Sequence, residues 1–243
     1  IRCFMNYKTK MENFEKAMKM IKDLQTNLST AYEYFLVRDA LKKSIAPNIK
    51  WEEESKKNVE IINKFIRFFW TTLEAHRKTF ALELSKFFDK DKNSLSLCKL
   101  INFMDANINS FNKNNFVLYN KDRNIYDLAN SYEPITNKVL DDIKAEIELE
   151  KDLIKKLRNY RSKNLAHNDI KPKNIDLFVS EIDELFKKTQ KRLNKIQYQI
   201  NHEEQWKLWT DTYTEDCVYS VLNWLKRFEP YRLKEIEWES YLR

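Results

Sequence analysis

Three histidines, His76, His167 and His202, are the chain's whole supply of imidazole, and one of them has neighbours that suit catalysis. His167 lies in the string Arg158-Asn159-Tyr160-Arg161-Ser162-Lys163-Asn164-Leu165-Ala166-His167-Asn168-Asp169. A histidine that titrates near neutral pH can take a proton from a 2′-hydroxyl. A guanidinium six residues before it can hold a phosphate by two parallel hydrogen bonds and offset the charge that develops there. Lys163 adds a further phosphate contact. Together these groups fit cleavage of RNA by its own 2′-hydroxyl, a reaction that needs neither metal nor cofactor and that DNA cannot undergo. His76 sits beside the apolar stripe of a helical segment and reads as a half-buried bundle residue. His202 opens the charged run His202-Glu203-Glu204-Gln205 and reads as solvent-facing. No two histidines have the spacing of a metal-binding helix, so no metal site is expected.

The string must be placed by the helix that precedes it. Ile154 and Leu157 form an apolar seam, and steps of four and eight from Leu157 reach Arg161 and Leu165. An arginine therefore occupies an inward position, where arginine is rarely found without a partner. Either a carboxylate within the bundle pairs with it, or the seam opens there onto a cleft or a second subunit. In an unbroken helix, six residues would set His167 about 120° round from Arg161, so the two would flank a groove. A helix ending near Ala166 relaxes that geometry, and Asn168-Asp169 followed by Pro172 marks a break.

The composition closes off other chemistries. The 243 residues contain no glycine, which excludes Rossmann and P-loop phosphate sites and the nucleophile elbow of Ser-His-Asp hydrolases. Tight hairpins also lean on glycine, so the expected fold is all-α, with asparagine serving at helix C-caps and turns. Forty-four lysines and arginines against 37 acidic residues leave a net charge of +7 and a pI near 9.0. That balance suits a polyanion such as RNA, although an AT-rich coding bias toward lysine would give the same excess. Cys3, Cys98 and Cys217 are too scattered for a disulfide framework, which fits a reducing cytosol. The most apolar stretch, Ile61 to Leu73, is interrupted by Lys64 and Arg67 and is too short to span a bilayer. A soluble, cytoplasmic protein is expected, with Ile1 to Phe4 an upstream remnant ahead of Met5 and residues 5–243 one domain.

Apolar residues recur in steps of three and four throughout. Phe14, Ala17, Ile21, Leu24, Leu28, Ala31 and Phe35 make one stripe on a helix bounded by Pro47. Val59, Ile62, Ile66, Phe69, Leu73, Phe80, Leu84 and Phe87 make a second, widened by Phe65, Phe68 and Trp70, which predicts a helix in the middle of a bundle. Leu95 to Asn107 reads as a shorter helix and Asn109 to Pro134 as a loop or broken helix. One long helix is expected from Asn137 through Leu157. The last stretch runs from Ile175 through Ile200 and, after a re-start at Thr210-Asp211, through Trp224 and Phe228 to Pro230. The pattern predicts an up-and-down bundle with extra helices and a long C-terminal helical extension. Trp206, Trp209, Trp224 and Trp238 pack on that bundle or on a second copy.

Arg161-Ser162-Lys163-Asn164-Leu165-Ala166-His167-Asn168-Asp169 resembles the R-D-K-x-x-A-H-x-D form of the AbiU-like abortive-infection branch of the HEPN superfamily. The segment Arg77 to Asp89 is more loosely similar. The resemblance implies a HEPN-like helical bundle that forms a homodimer and joins two Arg/His sets in one composite cleft. It implies a metal-independent endoribonuclease, used in phage defence or as a toxin in the bacterial cytoplasm, that leaves a 2′,3′-cyclic phosphate on tRNA or mRNA. An antitoxin or other defence protein would be its partner. By residue, His167 would be the general base or acid and Arg161 the phosphate ligand. Ser162, Lys163 and Asn164 would line the cleft, and Asp169 would orient His167 or cap the next helix. Asp169 stands where the branch silenced by nucleotide transfer carries tyrosine, so AMP transfer onto that position is not expected. Two other readings stand beside the enzyme: a HEPN-like bundle that binds RNA or a partner protein without cutting, and a helical adaptor in which Arg161 pairs with a carboxylate such as Asp169 or Glu74.

Overall fold

The computed structural model describes residues 2–47, 52–91, 94–123, 125–162, 178–203, 206–208 and 211–241. Among the described residues all regular structure is helical. The helices are α1 (Arg2–Ser44), α2 (Glu52–Lys64), α3 (Ile66–Lys86), α4 (Leu97–Ala106), α5 (Lys113–Tyr119), α6 (Tyr126–Ser131), α7 (Asn137–Glu148), α8 (Lys151–Tyr160), α9 (Val179–Asn201) and α10 (Asp211–Tyr241). A 3-10 turn at Ile108–Ser110 joins α4 to α5. Among the described residues no helix is long and apolar enough to cross a membrane.

The chain divides into two compact units, one of residues 1–31 and 81–208, the other of 32–80 and 209–243. In the first unit the stripe read on α1 is the core: Phe14, Ala17, Ile21, Leu24 and Leu28 are all at most 1% exposed. They share that interior with Leu84, Leu100, Met104, Leu140, Ile143, Leu157, Phe186, Leu193 and Ile196. Burial of such side chains contributes roughly 1.5–3 kcal/mol each and is the main source of helix stability here. In the second unit Ala40, Leu41, Ile61, Phe69, Val218 and Leu222 form the core, with Val37, Phe65 and Leu225 partly buried against it.

Several expected boundaries move, each for a physical reason. The stretch from Val59 to Phe87 is two helices, because the chain turns once at Phe65 between α2 and α3. Its widened face is covered only in part: Phe69 is 2% exposed and Phe65 partly buried, but Phe68 and Trp70 are 63% and 62% exposed. Asn137 to Leu157 is likewise broken, at Leu149 and Glu150. There Leu149 turns out to solvent, while Glu150 turns inward to meet the buried Arg192. Asn109 to Pro134 holds two short helices, α5 and α6. Finally, α10 does not stop at Pro230 but continues through it to Tyr241.

His202, not asparagine, takes the left-handed backbone conformation that ends α9, with φ of 49°. Glycine is the usual residue at such a position. The expectation of a solvent-facing His202 is corrected at the same point. Its half-buried ring packs 5.8, 5.5 and 5.0 Å from the centroids of Phe116, Tyr132 and Tyr198.

Candidate functional site

Residue Arg161 ends α8, where the backbone widens into a π-type turn over Arg161 and Ser162. Such turns interrupt helices and often mark functional positions. Ile154, Leu157 and Tyr160 are the buried residues of α8, and Arg161, four residues after Leu157, continues that inward side. It is not engulfed. Arg161 Nη1 donates to Asp89 Oδ2 at 3.1 Å, with the two side chains 34% and 29% exposed. Among the described residues the carboxylate that meets Arg161 is Asp89; Glu74 pairs with Arg77 instead.

Asp89 is held from both sides. Phe87 and Phe88 just before it are 2% and 1% exposed, and Leu97 N–H donates to Phe87 O at 2.9 Å across the turn. The backbone N–H of Asp91 donates to Asp89 Oδ1 at 3.3 Å. Beyond it the buried Ser96 caps α4 by accepting from Lys99 N–H at 3.1 Å. Ser96→Ala is expected to lower stability by about 1 kcal/mol, as loss of a helix N-cap does, in a urea titration.

The hydrogen bond from Arg161 holds the Asp89 carboxyl below the usual carboxylate value, helped by backbone N–H donors and opposed by burial. A depressed carboxylate stabilises the fold above its unfolded pKa, and that contribution is lost only as the pH falls through the lower folded value. The pair is therefore intact throughout pH 5–8. A depression of about 630 Å³ lies beside it, lined by Asp89, Lys90, Ser96, Cys98, Lys99 and Phe103. Burial pushes the Cys98 thiol up, with Arg158 and Lys90 opposing the rise, so Cys98 is a protonated thiol and not a nucleophile at neutral pH.

A family model, HEPN_AbiU2, described as AbiU2, matches residues 9–219. The chain belongs to the AbiU2 family of HEPN proteins. No curated protein and no solved structure gives a significant match. Family membership points to a function related to abortive infection, and its match takes in both ends of the Arg161–Asp89 pair.

Of the site residues expected for this HEPN protein, Arg161 stands at the end of α8 and Ser162 is exposed beside it. Lys163, Asn164, His167 and Asp169 lie outside the described residues. His76 meets expectation: it is half-buried, its Nδ1 is hydrogen-bonded to Thr72 O at 2.7 Å, and its ring stands edge-on to Tyr34 at 5.3 Å. Asp89 was missed as a partner of Arg161, although it closes the loosely similar segment Arg77 to Asp89. The signal for it was an aspartate directly after the apolar pair Phe87-Phe88.

Proposed function

We propose that this AbiU2-family protein is a metal-independent endoribonuclease of phage defence, acting in abortive infection or as a toxin. Its substrate is tRNA or mRNA, cut through 2′-hydroxyl attack in a composite cleft of a homodimer in the bacterial cytoplasm. His167 moves the proton, and Arg161 binds the phosphate and the charge that builds on it. Ser162, Lys163 and Asn164 line the cleft, and Asp169 orients His167 or caps the following helix. An antitoxin or defence partner restrains the enzyme.

The observation that carries this reading is the state of Arg161. It is anchored by a carboxylate brought from 72 residues away, yet about a third of its side chain is open to solvent, at the helix end that leads toward His167. A guanidinium that must meet a phosphate needs this exposure. The test is incubation of the pure protein with total RNA and tRNA in EDTA, with analysis of the product ends. Cleavage leaving 2′,3′-cyclic phosphates supports the reading. Intact RNA, at concentrations where the protein shifts RNA on a gel, overturns it for the free protein.

The ion pair itself favours a second reading, a non-catalytic HEPN-like bundle that binds RNA or a partner protein. Asp89→Asn separates the two. It keeps an acceptor for Arg161 and removes the charge, and for a pair this exposed the stability change should stay within about 1 kcal/mol. If Asp89 positions a working Arg161, the variant's kcat falls on the order of tenfold while KM changes little. An unchanged kcat would make the pair purely structural.

A further inference from the structure

A second groove, along α9 in the first unit, has the chemistry of a single-stranded RNA site. It encloses about 510 Å³. Lys191, Lys195 and Tyr198 recur at steps of four and three, so they stand on one face of α9, and Trp206 and Lys207 close the other side. The segment bearing Trp206 is fixed in place: its carbonyl accepts from Gln190 Nε2 at 2.8 Å and from Asn194 Nδ2 at 2.7 Å. Lys195 is balanced by Glu146 at 3.5 Å, whereas Lys191 and Lys207 are exposed and have no acidic partner among the described residues. The Tyr198 side is 51% exposed. Asn194 also lines the groove, with its Oδ1 buried and without a hydrogen-bond partner among the described residues.

We infer that this groove binds single-stranded RNA, with a base on the Tyr198 and Trp206 rings and its phosphates on Lys191 and Lys207. Cations interleaved with accessible aromatic faces are the means by which proteins hold unpaired strands, because every base has a face to stack. A duplex keeps its bases stacked on each other and offers none. The neighbouring depression on α9 is lined by Glu150, Asp152, Glu181 and Glu184 against Lys156 and Lys188, so it carries the opposite balance and would repel a polyanion. The inference extends the RNA reading above without depending on cleavage.

The test uses the full chain carrying His167→Ala, so that RNA survives, and a fluorescein-labelled 12-nucleotide single-stranded RNA of mixed sequence read by anisotropy. Lys191→Glu/Lys207→Glu is expected to raise Kd at least tenfold in low salt. It should also shrink the slope of log K against log salt by about 1.4, the value for two lost contacts on a single strand. Tyr198→Ala should raise Kd about fivefold or more. The charge-matched control Lys121→Glu/Lys138→Glu, at exposed positions of the same unit, should stay within twofold. Groove variants that bind like the control overturn the inference, as does a wild-type surface that binds no RNA. Equal affinity for a duplex of the same length overturns the stacking, and displacement by free AMP at comparable concentration reassigns the groove to a mononucleotide. Cleavage by the wild type in EDTA is read separately, so loss of catalysis and loss of this groove cannot be confused.

Discussion

His167→Ala should slow RNA cleavage by about 10²–10⁴-fold, the range for removal of a general acid–base group. Arg161→Ala should cost about 10²–10³-fold, as loss of a donor to developing charge does. The double variant should be hardly slower than the worse single one, because the two groups serve one transition state. Arg161→Lys keeps the charge but not the two-pronged geometry, and should recover only part of the rate. Single-turnover rates on a tRNA substrate in EDTA, with melting temperatures alongside, check all four. The pH profile adds an independent reading. The Asp89 carboxyl does not titrate between pH 5 and 8, because the hydrogen bond from Arg161 holds it below the ordinary value. An inflection in that window would belong to the histidine, and its disappearance in His167→Ala would identify it. Equal rates in wild type and His167→Ala would sink the catalytic assignment outright.

Glu150→Ala should destabilise the first unit by about 3–5 kcal/mol, the usual consequence of leaving one half of a buried ion pair behind. Arg192 is 3% exposed and Glu150 9%. Arg192 Nη1 and Nη2 donate to Glu150 Oε2 and Oε1 at 2.7 and 2.8 Å, a bidentate fork, and Nη2 also donates to Glu146 O at 3.1 Å. Lys188 adds a contact to Glu150 at 3.3 Å. Once the carboxylate is gone, the backbone carbonyl and Glu146 satisfy only part of the guanidinium, which places the effect toward the lower end of that range. Glu150→Leu/Arg192→Met removes both charges and fills the space, and should be markedly less harmful than Glu150→Ala alone. Urea unfolding of the four proteins measures the coupling. A loss under 1 kcal/mol in Glu150→Ala would mean that the pair does not hold α7, α8 and α9 together.

How far the sequence could be read depends on which interactions are local. Absence of glycine and the three-and-four spacing of apolar residues determined an all-α chain, because helix formation and face selection depend on neighbours within a turn or two. The α1 stripe from Phe14 to Leu28 is buried as its spacing predicts. The string from Arg161 to Asp169 was enough to indicate the HEPN family, and the family match over residues 9–219 agrees. The inward placement of Arg161 was also readable, since it continues the seam of Ile154 and Leu157.

Tertiary structure decided the rest. Phe68 and Trp70 look like core by composition, yet they are exposed; only the packing of the second unit settles which side of α3 is covered. The break at Glu150 was invisible because its cause, Arg192, lies 42 residues away. His202 leaves solvent because Phe116 and Tyr132, distant in sequence, supply rings for it to pack on. Asp89 reaches Arg161 across 72 residues. In each case the sequence determined what a residue could do through its own helix, and long-range packing determined which partner it met.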